Sequence, residues 1–247
     1  APVAEYLRLP VALTDRLGDD LARHDLAVVM TRERSNPQEP VRADPEAEMR
    51  RLVDLDTPRQ FVIEGSARVS AAVDESLVDR LIGRTHTVGG AAAVAESSGA
   101  LPGDLQSITS FASDGDDQSA WTGVFGPQAG QWLRFDVADP IEFDSIELGL
   151  VVDELHSVPT QVSVELDGEP AGTFPTGLTI ADWERDTVAT VDLGLTASAS
   201  SIVLRFTDVA ERPTRDWYAN HFVAMPVSVA EVTFDGAPLF GAPAAVD

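Results

Sequence analysis

From residue 131 onward the chain alternates apolar and polar residues in short runs, each stopped by Gly, Pro or Asp. Leu133, Phe135 and Val137 fall on one face of a period-two strand, with Trp132, Arg134 and Asp136 on the other. Ile146, Leu148 and Leu150 repeat the pattern. Val162, Val164 and Leu166 follow, ahead of an Asp167-Gly168 turn signal. Ala189, Val191 and Leu193, then Ile202, Leu204 and Phe206, give two further strands. The last runs over 227–234 and stops at Asp235-Gly236. No long helical pattern interrupts them. Short strands of this kind bury their apolar face only under a second sheet, so the pattern predicts an all-β sandwich or jelly roll.

Residues 1–92 read differently, as a smaller mixed α/β segment. Asp44-Pro45-Glu46 resembles a helix start, and 74–82 reads as a short helix with Leu77, Val78, Leu81 and Ile82 on one side and Gly83 as its stop. Strands are expected over 52–55 and 60–69, and loops over 39–44 and 85–100. An echo between 53–61 and 135–143 leaves two readings open: shared turn chemistry, or a partial second sandwich. Residues 93–237 are expected to be the sandwich and 238–247 a linker. The start at Ala1, without Met, reads as a piece of a longer protein.

Composition excludes several function classes. Cysteine is absent, so disulfides and thiolate metal sites are ruled out. All 17 basic residues are arginine, which removes Schiff-base lysines and the P-loop. The arginine-only usage, rich in Ala, Val, Asp and Gly, suits a GC-rich genome. Net charge is −24. Residues 1–92 hold 12 Arg against 16 acids, whereas residues 93–247 hold 5 against 25. Such a surface repels nucleic acid and anionic lipid. No Gly-x-Ser-x-Gly elbow or His-x-x-x-His pair occurs, and His24, His86, His156 and His221 are scattered. A non-catalytic piece is expected.

One segment carries most of the chemistry. Asp114-Gly115-Asp116 is followed by Ser119 and Trp121, and then by Gly130-Gln131-Trp132-Leu133. Near the end stands Val229-Ala230-Glu231-Val232. In this order and spacing the residues resemble the discoidin superfamily, the coagulation factor five/eight type C fold shared with bacterial carbohydrate-binding modules. The resemblance covers about residues 95–237 and implies a galactose-binding-like (discoidin) β-sandwich jelly roll. It also implies a structural calcium held by Asp114, Asp116, Ser119 and Glu231, since calcium takes several hard oxygen ligands. The competing reading is an Asx-type turn whose acids cap backbone amides.

A second resemblance spans the chain. The segments 42–48, 59–70 and 78–83, in that order before the sandwich, look like the extracytoplasmic region of mycobacterial-type α-(1→3)-arabinofuranosyltransferases. That implies an actinobacterial cell-envelope location, a cell-wall polysaccharide (arabinan or arabinogalactan) as partner, and a membrane-anchored parent enzyme that performs glycosyl transfer elsewhere. The alternative is a structural or docking domain of the same enzyme.

Sugar binding needs an aromatic face for the C–H side of a ring and planar polar groups for its hydroxyls. The loop 211–221 concentrates Arg215, Asp216, Trp217, Tyr218 and His221, and Trp183 is a second aromatic among charges. Either could instead pack on the sandwich edge. Trp121 and Trp132 are assigned to packing, and His156 to a loop.

Overall fold

The computed structural model describes residues 27–28, 58–64, 73–84, 87–88, 91–116, 118–185, 187–217 and 219–241. The chain divides into two compact units, Ala1–Ala72 and Val73–Asp247. Of the first, 58–64 has no regular secondary structure, so the strand expected from residue 60 does not form over 60–64. The helix start at Asp44 and the strand over 52–55 lie outside the described residues. The second unit contains the expected sandwich and begins before it, with the helix α1 (Glu75–Leu81).

Helix α1 forms because Asp74 caps it, its carboxylate accepting from the Ser76 amide at 2.9 Å, with Glu75 in the first turn and Arg80 in the last. Gly83, at φ 70°, ends it in the left-handed conformation that only glycine takes without strain. Val78 and Asp79 are its buried residues.

Among the described residues one sheet has six strands: β1 (Thr87–Val88), β2 (Ala91–Ser97), β4 (Trp132–Phe143), β9 (Ala197–Ala210), β6 (Val158–Leu166) and β7 (Glu169–Pro175), in that spatial order. The other runs β13 (Ala237–Pro238), β12 (Ser228–Phe234), β5 (Ile146–Val152) and β8 (Thr187–Asp192), with β3 (Trp121–Thr122) also on β12. A hairpin of β10 (Pro213–Asp216) and β11 (His221–Ala224) stands apart. Pairing is antiparallel throughout, and from β4 to β12 the chain passes repeatedly from one sheet to the other. Together the two sheets make the expected all-β, antiparallel sandwich.

The core is the set of inward positions that the alternation marks. Leu133, Phe135, Ile146, Leu148, Leu150, Ile202, Leu204 and Phe206 are fully buried. Trp121 stacks on Phe206 with ring centroids 6.2 Å apart, and Phe234 meets Phe135 and Phe143 edge-on at 6.3 and 5.3 Å. Each such ring contributes about 1.5–3 kcal/mol by burial. Asp167-Gly168 and Asp235-Gly236 both take positive φ at both residues, the hairpin turn expected of Asp-Gly.

Three expectations change. The loop over 85–100 contains β2, which pairs with β4 from Ala93 to Ser97. Alanine is a weak strand former, but sheet pairing overrides that preference here. The linker over 238–247 starts too early: Pro238 pairs with β12, and Leu239 and Phe240 are buried in the core. The turn chemistry that the echo suggests within 135–143 makes no turn there: β4 runs through Asp139-Pro140 with a register shift against β9.

Candidate functional site

The Asp114 turn is built by a 3₁₀ segment, Thr109–Ser113, that packs beside β12. Gly115 sits at φ 77°, where a Cβ would come 3.2 Å from the Pro238 ring. The four residues assigned to a metal do gather here. The Ser119 hydroxyl lies 2.9 and 3.0 Å from the two Asp114 carboxylate oxygens, and the Asp116 amide donates to Asp114 at 3.0 Å. Glu231 comes across from β12, where a bulge after Val229 resets the alternation, and accepts from the Gly115 amide at 2.8 Å.

A fifth residue changes the chemistry. The Arg84 side chain is fully buried and donates to Asp114 Oδ2 at 2.6 Å and to Ser110 Oγ at 2.7 Å. Asp79 lies 3.7 Å from the same guanidinium and accepts from Ser110 Oγ at 2.7 Å. The guanidinium also stands over the Phe111 ring, 4.4 Å from its centroid.

This donor set does not fit a calcium ion. Calcium needs six to eight oxygens about 2.3–2.6 Å away. Asp114 already faces a guanidinium, and the Asp116 carboxylate turns to its own loop, accepting from the Gln118 amide at 3.0 Å. Glu231 Oε1 is buried without a hydrogen-bond partner, a single free oxygen rather than a shell. The backbone-capping reading of these acids is the one the geometry supports. Burial raises the Asp114 carboxyl above its ordinary value, while the Asp116 amide, Ser119 and Arg84 pull it back. Burial, helped by the charge of Asp114, pushes Glu231 up to about 7 against the pull of the Gly115 amide. A protonated Glu231 suits a buried carboxyl with one unpartnered oxygen.

The other candidate site is one end of the sandwich, organised by Gln128. This buried side chain donates to the Val124 and Gly126 carbonyls at 3.0 and 2.6 Å and accepts from the Val227 amide at 2.8 Å. Its own amide donates to Glu211 Oε1 at 2.8 Å. Gly126 N–H reaches the Ala224 carbonyl at 3.3 Å. The Ser157 amide donates to the Pro226 carbonyl at 2.9 Å, and the Ser157 hydroxyl accepts from the Arg212 amide at 3.0 Å. Three loops are thereby tied together: 123–131, 153–157 and 211–227.

The β10–β11 hairpin rises from this end. Arg215 donates to the Asn220 side-chain oxygen from two nitrogens and stands 5.3 Å from the Trp217 ring centroid. Asp216 accepts from the Ala219 amide at 3.2 Å. Asn220 takes φ 55°, a conformation that Asn tolerates. Trp217 is 81% exposed and Phe222 73%, so neither packs on the sandwich edge. Arg215, Asp216, Trp217 and His221 are therefore brought together on one hairpin. Tyr218 lies outside the described residues, as does the side chain of Trp183, whose backbone is in the 3₁₀ segment Ile180–Arg185. His156 is held by Asp153 at 2.8 Å within its own loop. Trp121 is buried, as expected, while Trp132 is half-buried.

Sequence reasoning missed Arg84, Gln128, Phe125, Leu155 and Phe222. Only Arg84 left a signal: a cation directly after the stop of α1, in a chain with few cations beyond it.

No family model matches the sequence, and no curated protein does. Solved structures do match. The family 32 carbohydrate-binding module of C. perfringens NanJ, in complex with galactose, is 16% identical over 57% of this chain and 90% of that chain, with a TM-score of 0.38. Chitosan-binding module 2 of a Paenibacillus chitosanase/glucanase, in complex with chitotriose, is 14% identical over 58% and 95%, with a TM-score of 0.38. The arabinofuranosyltransferase AftD from Mycobacteria is 17% identical over 57% of this chain and 11% of that chain, with a TM-score of 0.40.

Proposed function

We propose that this chain is a non-catalytic carbohydrate-recognition module whose contact surface is the β10–β11 end of the sandwich. The observation that carries this reading is Trp217: a large aromatic face left open to solvent, with Arg215 beside it and Asp216 and His221 on the same hairpin. The indole offers a platform for the C–H face of a sugar ring, and the flanking groups offer hydroxyl partners. The strong negative charge disfavours acidic polysaccharides, so the ligand is a neutral glycan. An arabinan or arabinogalactan of a cell envelope meets that requirement, with the module serving as the extracytoplasmic accessory of a membrane glycosyltransferase.

Isothermal titration of the full chain with arabinan and galactan oligosaccharides tests this directly. Binding to one of them is expected, weakened about tenfold or more by Trp217→Ala, equivalent to about 1.4 kcal/mol. No binding to either, or equal binding by the variant, contradicts the reading. A docking role draws on a separate observation, the exposed Phe222, Leu155 and Phe125. It predicts capture of the parent enzyme with no glycan affinity.

A further inference from the structure

We infer that the Arg84 guanidinium is the resident cation of the Asp114 turn, serving inside this sandwich as the positive staple that a bound metal would otherwise supply. Three observations carry this. The Arg84 side chain is wholly buried, and its nearest carboxylate, Asp114, is itself 1% exposed. A buried carboxylate demands a compensating charge, and Arg84 provides it at 2.6 Å. The guanidinium's other contacts, Ser110, Asp79 and the Phe111 face, fix it in orientation as well as charge.

The arginine fastens something different from what an ion would. An ion between Asp114 and Glu231 would join the turn to β12. Arg84 joins the turn to the end of α1, and the Glu75 carboxylate adds a second tie by accepting from the Thr109 amide at 2.9 Å. Glu231 still holds the turn, through the Gly115 amide. The sandwich thus closes on a residue that precedes its first strand, and it has no need of a divalent ion. This inference is independent of sugar binding.

Thermal melting of the full chain tests it, with calcium in millimolar excess and with chelator. The melting temperature is expected to be the same in both, and calorimetric titration with calcium alone to give no heat of binding. Arg84→Met should lower the melting temperature by roughly 10 °C, as loss of one partner of a buried pair does in a domain of this size. Asp114→Asn should fall comparably, and the double variant no further than the worse single one. A chelator-induced fall of the parent, a calcium heat that Asp114→Asn abolishes, or an Arg84→Met chain that melts like the parent would each overturn it. Should Arg84→Met fail to fold, the calcium and chelator comparison on the parent decides alone.

Discussion

Glu231 shows how one side chain is set by its surroundings. It lies half-buried on β12, one oxygen on the Gly115 amide and the other without a partner, near the charge of Asp114. Its folded pKa of about 7 stands above the ordinary 4.5, so the protonated form favours the fold. That contribution is complete below about pH 4.5 and is lost as pH rises through about 7. The melting temperature should therefore fall across this window. Glu231→Gln keeps an acceptor for Gly115 and removes the titration, so its melting temperature should stay level and exceed the parent's at about pH 8. A parent that gains stability across the same window contradicts the assignment. Gln128 matters by geometry alone. Gln128→Leu strands the Val227 amide and two carbonyls, and should cost about 3 kcal/mol, read as a lowered urea midpoint. These two residues differ in legibility. Glu231 follows a recognisable closing pattern, whereas Gln128 resembles any surface glutamine until the loops around it are assembled.

Among the elements, strands with strong alternation were legible because period two has one physical solution when only one face is buried. β4, β5, β6, β8, β9 and β12 all fall where Leu133, Ile146, Val162, Ala189, Ile202 and Val229 indicate. The Asp-Gly turns follow from backbone sterics. β2 was hidden by its alanines, and the core role of Leu239-Phe240 by its brevity, because tertiary pairing decides both. Helix α1 was legible as a helix but not as part of the sandwich unit. Its tie runs through Arg84 to a carboxylate thirty residues on, and buried arginines are rare enough that none is expected. A chain starting at Val73 should therefore fold cooperatively and melt well above one starting at Ala93, which leaves Asp114 without its cation. Equal melting of the two would show that α1 is dispensable.

For the whole molecule, fold and site separate cleanly. The sandwich is a scaffold of apolar contacts, and the Asp114 turn closes it with an internal ion pair. The proposed recognition surface is the hairpin end, whose residue types were legible but whose exposure was not. A tryptophan among charges packs or protrudes according to what the neighbouring loops leave uncovered. Trp217 is the strongly exposed indole among those described, against a buried Trp121 and a half-buried Trp132. Its fluorescence is thus the most direct test of the central claim. Titration of the full chain with the arabinan or galactan oligosaccharide should shift the emission to the blue as a sugar ring covers the indole. The same titration of Trp217→Phe should leave the emission unmoved while weak binding persists. An unchanged parent spectrum at saturation, or an equal shift in the variant, would place the ligand elsewhere and contradict the account.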